Sequence, residues 1–165
     1  MAQLADPRGT IEAERNEQRQ LCFHLEQIAD RLPNAVNRFE LESIATFFKH
    51  KLPTYNRNEE SLYALIAQNG PKSIDLLEIA ALAAAEHRTH ESFAEEFLDY
   101  FQKPIVSSRM DECGYMLRYF FEMIERHLDW EDLILIPLAK NCLHAKDLAK
   151  LADRVSLCTA GLLPR

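Results

Sequence analysis

The chain has 165 residues, 47% of them apolar and 27% charged, the balance of one soluble domain large enough to bury its own core. A net charge of −7 argues against a nucleic-acid-binding face, which carries a basic stripe. Only four glycines occur, too few for the turns of a β-rich fold, and no apolar run approaches the roughly 18 residues of a membrane span.

Four segments carry helical periodicity, with breakers between them. The first runs from about Thr10 to Leu32 and is closed by Pro33; its stripe is Ile11, Arg15, Gln18, Cys22, Leu25, Ala29 and Leu32. The second begins near Asn37 and ends at Ala67, before Asn69-Gly70-Pro71, with Phe48, Leu52, Tyr55, Glu59, Leu62 and Ile66 on one side. Pro53 lies inside it and predicts a kink or a split, because proline lacks the amide donor and clashes with the preceding turn. The third starts at Pro71, a residue suited to a first helical turn, and stops before Pro104. Leu76, Ala80, Ala83, His87, Glu91, Ala94 and Leu98 line it. The fourth follows Ser107-Ser108 and carries Cys113, Leu117, Phe120, Ile124, His127, Glu131 and Leu135, with Pro137 near its end. A shorter segment, about Lys146 to Leu157, reads as an appended helix. The pattern predicts an all-α, antiparallel up-and-down four-helix bundle with an extra short C-terminal helix, in one domain spanning 1–165. The bundle core occupies about 10–140 and the appendage 141–165.

Polar residues interrupt the apolar stripes near mid-helix, where all four helices of a bundle meet at similar depth. His87 and Glu91 are four apart on the third helix, and His127 and Glu131 repeat that spacing on the fourth. Glu59, with Glu60 beside it, interrupts the second, and Arg15 the first. Buried carboxylates and imidazoles need compensation by a cation or by a network of hydrogen bonds and ion pairs. Such residues on facing helices are how bundles build iron and manganese sites. His87, His127, Glu131, Glu59, Glu60 and Glu91 are the candidate metal ligands. Motif alone does not separate Glu59 from Glu60: helical phase favours Glu59, which follows Tyr55 by four, and Glu60 stands likewise to Asn56. His24, beside the first stripe, reads as partly buried or exposed, and His50, His90 and His144 as surface residues; Trp130 reads as packing at a helix interface.

Glu125-Arg126-His127-Leu128-Asp129-Trp130-Glu131-Asp132, running into Ile136-Pro137-Leu138-Ala139, resembles the last helix of hemerythrin-like (HHE) proteins. Ala85-Glu86-His87 resembles their third helix. Leu52-Pro53-Thr54-Tyr55-Asn56-Arg57-Asn58-Glu59-Glu60 resembles their L-P-x-H-H-x-x-E-E with both histidines replaced, and Glu14-Arg15-x-x-Gln18-Arg19 resembles a first helix that carries E-H-x-x-Q-R. The resemblance covers most of Thr10 to Ala139. It implies a two-iron site in which the ligands of one iron survive as His87, Glu91 and His127, with Glu59 or Glu60 and Glu131 as bridges. The ligands of the other are replaced by Arg15 and by Tyr55-Asn56. A guanidinium is always charged and pairs with two carboxylates, so Arg15 is expected to stand in for the lost ion.

One iron ion at most is therefore expected, and no two-iron oxygen carrier. The leading expectation is a regulatory or protein-interaction module, not an enzyme, with a protein partner, no nucleic acid or membrane partner, and homodimerisation left open. Tyr119-Phe120-Phe121 and the apolar stretch from Leu157 to Leu163 are candidate contacts. The alternative is a mononuclear non-haem iron protein that binds or senses dioxygen, nitric oxide or peroxide. The opening MAQLADPRGT lacks the regions of a secretory signal. Cys22, Cys113, Cys142 and Cys158 are widely spaced, as thiols of a reducing compartment are, and a cytoplasmic location is expected.

Overall fold

The computed structural model describes residues 7–32, 37–72, 75–101 and 109–159. Among them every regular element is helical: α1 (Pro7–Arg31), α2 (Arg38–Thr46), a π-helical turn (Phe47–Lys51), α3 (Leu52–Asn69), α4 (Leu76–Phe101), α5 (Met110–Leu133), α6 (Leu135–Cys142) and α7 (Ala145–Thr159). None is long and apolar enough to cross a membrane.

Side-chain contacts between neighbours fix the directions. Arg15 meets Asp132 while Arg118 meets Ala29, so α1 and α5 are antiparallel. Asn56 meets Glu91 while His87 meets Glu60, which reverses α4 against α3. His127 meets Glu86 while Tyr119 packs on Phe93, which reverses α5 against α4. The result is the up-and-down bundle. α7 packs against α3 and α1 and adds Leu151 and Val155 to the core.

Local chemistry sets the boundaries. Asn37 caps α2 by accepting from the Phe39 amide at 2.9 Å, and Glu40 reaches back to the Asn37 amide at 3.2 Å, a reciprocal capping box. Pro53 does not split its helix into separate rods. The strain is taken up just upstream by the π-turn, and the proline sits in the first turn of α3, where a missing donor is tolerated. Pro71 does not open α4, whose first residue is Leu76; Asp75 accepts from the Glu78 amide at 3.0 Å and supplies the cap. α5 breaks at Ile134, before Pro137, and α6 continues the run. Pro33, Pro104 and Ser107-Ser108 lie outside the described residues, as does the tail beyond 159.

The core is divided. One apolar cluster joins Cys22, Leu25, Phe48, Leu52, Ala94, Phe97, Leu117, Phe120 and Ile124. The other joins Ile11, Leu62, Ile66, Leu76, Ala83, Leu135 and Leu151. Along every bundle helix the residues that pass from one cluster to the other are polar: Arg15 and Gln18 on α1, Asn56 and Glu59 on α3, His87 and His90 on α4, His127 and Glu131 on α5. The bundle thus holds a buried polar layer between two dry ones.

Candidate metal centre

At the middle of that layer Glu59, His87, His127 and Glu131 converge, one ligand atom from each lying within 4.8 Å of the others. All four side chains are buried. The Nε2 atoms of His87 and His127 face each other at 3.0 Å. Glu59 Oε2 lies 3.3 Å from the first and Glu131 Oε1 lies 3.3 Å from the second.

The outer nitrogens are occupied. His87 Nδ1 is 3.2 Å from Glu60 Oε1 and His127 Nδ1 is 2.6 Å from Glu86 Oε2. An imidazole that donates its Nδ1 proton to a carboxylate presents a lone pair at Nε2, the usual support of a metal-bound histidine. Two such lone pairs at 3.0 Å repel unless a cation or a proton lies between them. Glu59 Oε2 and Glu131 Oε1 point the same way, buried and without a hydrogen-bond partner among the described residues. Two imidazole nitrogens and two carboxylate oxygens therefore fit a first-row divalent ion, which takes such donors at about 2.0–2.2 Å.

The remaining carboxylate oxygens belong to Arg15. Its Nη1 lies 3.4 Å from Glu59 Oε1 and directly against Glu131 Oε2. Its Nη2 donates to the Leu128 carbonyl at 2.9 Å and to Asp132 Oδ1 at 2.7 Å. Asp132 is held in turn by Arg19 at 2.5 Å.

The electrostatics follow. Burial opposes ionisation of Glu59, but His87, Arg15 and His127 outweigh it and lower its pKa. Burial likewise opposes a proton on His87, yet Glu59 and Glu60 raise its pKa to about 9. His127 is lowered, by burial and by the charge of His87. Burial and the neighbouring Asp132 push Glu131 well above the usual carboxylate range, and its Oε2 lies against the Arg15 guanidinium.

Of the other sequence candidates, Glu60 holds His87 from the rim of the layer and does not join the converging set. Glu91 accepts from the Asn56 amide at 2.7 Å. Tyr55 turns its hydroxyl to Glu17, so both replaced histidine positions on α3 are engaged in their own hydrogen bonds. His24, His50 and His144 are exposed. His90 corrects the sequence reading: it is not on the surface but 2% exposed, its ring 5.0 Å from that of His127 and 6.2 Å from that of His87. The buried row on α4 runs Ala83, His87, His90, Ala94, Phe97, and the aromatic at 97 is the signal that favours 90 over 91. Tyr63, whose hydroxyl is 3.5 Å from His87 Nε2, and Glu86 were not singled out by spacing. Of Tyr119-Phe120-Phe121 only Tyr119 is exposed, next to an exposed Tyr115.

Comparison with curated proteins and comparison with solved structures gave no match. The family model described as the hemerythrin HHE cation binding domain matches residues 6–139, which take in all four bundle helices and every residue of the converging set, and leave α7 outside. The chain belongs to the hemerythrin HHE cation-binding family.

Proposed function

We propose that the chain is a single-ion member of its family, with one divalent cation, iron in the first instance, held by Glu59, His87, His127 and Glu131. Its role in this reading is regulatory rather than catalytic. The observation that carries the reading is the pair of inward-facing Nε2 atoms with two unpartnered carboxylate oxygens beside them. A second ion is not expected, because Arg15 occupies the far oxygens of both carboxylates. The ligands are buried. A groove of about 750 Å³ between α3 and α4 is lined by Glu60 and Glu91 and by none of the four converging residues. That arrangement suits occupancy sensing, or a very small molecule, better than turnover of an organic substrate. A protein partner reads out the occupied state, and the exposed Tyr115 and Tyr119 of α5 are proposed as part of that surface.

A second reading has its own support. Four protein donors leave positions open on an octahedral ion, and the buried Tyr63 hydroxyl reaches the centre. Binding of nitric oxide or dioxygen at iron would use those positions. Titration of the metal-free protein with Co2+, followed by visible absorption, tests the first reading. The expected result is saturation at one equivalent, with the spectrum lost in His87→Ala; saturation at two equivalents or no spectrum refutes it. Nitric oxide added to the Fe2+-loaded protein and followed by EPR tests the second. A nitrosyl signal altered in Tyr63→Phe supports it, and no signal removes it.

A further inference from the structure

The geometry points to Arg15 as the residue that makes this centre select divalent over trivalent cations; the inference rests on the single-ion reading above. Each ligand carboxylate is shared. Glu59 turns Oε2 to His87 and Oε1 to Arg15; Glu131 turns Oε1 to His127 and Oε2 to Arg15. An ion among the imidazoles is therefore separated from a permanent positive charge by the width of one carboxylate, on two sides.

That charge cannot withdraw when the ion enters. The second nitrogen of the guanidinium is held by the Leu128 carbonyl at 2.9 Å and by Asp132 at 2.7 Å. Asp132 is itself held by Arg19, which also reaches Asp129 at 3.1 Å. Arg15 is 5% exposed, so solvent screens it little. A guanidinium facing three carboxylates stays charged in such a setting.

The consequence is a difference in charge tolerance. Two neutral imidazoles and two carboxylates match the charge of a divalent ion. A third positive charge on the ion meets Arg15 at a separation on the order of 6 Å. With an effective dielectric constant of about 20, that repulsion corresponds to about a hundredfold in affinity. For iron, the same factor favours the ferrous over the ferric ion and raises the potential by about 120 mV, at 59 mV per tenfold. Arg15 thus sets the oxidation state that the centre holds, in addition to closing the second site.

The test uses redox-inert probes: Zn2+ for the divalent ion and Ga3+ for the trivalent one. Each is titrated by competition against nitrilotriacetate into the unaltered chain, Arg15→Gln and Arg15→Lys. The preference for Zn2+ over Ga3+ is expected to fall about a hundredfold in Arg15→Gln and to be kept in Arg15→Lys. A change of less than about threefold in Arg15→Gln, or an equal loss in Arg15→Lys, overturns the assignment. Arg15→Met replaces the glutamine variant if circular dichroism shows that the latter does not fold. Failure of the unaltered chain to take up Zn2+ refutes the single-ion reading itself, whereas Zn2+ uptake with an unchanged preference in Arg15→Gln refutes only the role of Arg15.

Discussion

Replacing Arg15 by methionine in the metal-free protein keeps an unbranched stem and removes the guanidinium with its charge. The guanidinium contacts two carboxylates, Glu59 and Glu131, whose side chains are 2% and 0% exposed. It also satisfies the Leu128 carbonyl and Asp132. Removing one partner of a buried ion pair typically costs about 3–5 kcal/mol, because the other charge is left without compensation. At about 4 kcal/mol, a domain of this size loses roughly 8–16 °C in melting temperature. Thermal and urea unfolding at pH 7.5 with a chelator present measures this. Adding Glu131→Gln removes one stranded carboxylate, so the double variant should recover about 1–3 kcal/mol of the loss. The sign of the pH dependence is set by Glu59, whose pKa is held below 4.5 in the folded chain. Its contribution is present above that value and fades as pH falls through the folded pKa, so the gap between the parent and Arg15→Met narrows in acid. A loss under about 1 kcal/mol at pH 7.5, or one that is independent of Glu131, would refute the idea that Arg15 compensates the ligand carboxylates.

Glu14 is raised from 4.5 to about 7 by burial, with Asn58 opposing and Glu59 and Glu17 adding to it. A raised carboxyl favours the fold when protonated and opposes it as pH climbs to 7, so Glu14→Gln should stabilise by on the order of 2 kcal/mol at pH 8 and be neutral at pH 4, read from urea midpoints. Glu86→Gln removes the charged partner of His127 Nδ1; about 10–100-fold weaker Zn2+ binding is expected by competition titration, with little change in the fold. Phe120 is fully buried, with ring centroids 4.7 Å from Phe48 and 5.5 Å from Phe93. Phe120→Ala should cost about 3–5 kcal/mol in chemical denaturation without changing metal stoichiometry, since it empties the apolar cluster beside the polar layer and not the layer itself.

Much of the fold is legible along α5 and into α6, where Cys113, Leu117, Phe120, Ile124, His127, Glu131 and Leu135 recur at helical spacing and are all buried. The same regularity makes the site readable: a histidine and a glutamate inside an otherwise apolar row must be compensated by something. Between Glu59 and Glu60 the sequence leaves the choice open, phase only favouring Glu59; in the fold the one-residue step, about 100° on a helix, carries Glu60 to the rim. The same arithmetic explains the error at His90. Taking 87, 91, 94 and 98 as the buried row follows one valid phase, but the bundle buries 87, 90, 94 and 97, and Phe97 and Tyr100 settle the choice by size. α4 starts later than Pro71 predicts, because a proline suits a first turn but does not require one; Asp75 three residues before Glu78 is the stronger capping signal. The hydrogen bonds that the two histidines donate to Glu60 and Glu86 depend on how α3 and α5 lie against α4, which no spacing within one helix encodes.

The most direct test of the single-ion centre is metal content by elemental analysis on protein purified without a histidine tag, with His127→Ala alongside. The account predicts about one equivalent of a divalent metal in the parent and none in a folded His127→Ala. Two equivalents would show that Arg15, Tyr55 and Asn56 do not close the second position. A metal-free parent that takes up none on reconstitution would show that the buried layer is an ion-pair network and not a metal centre.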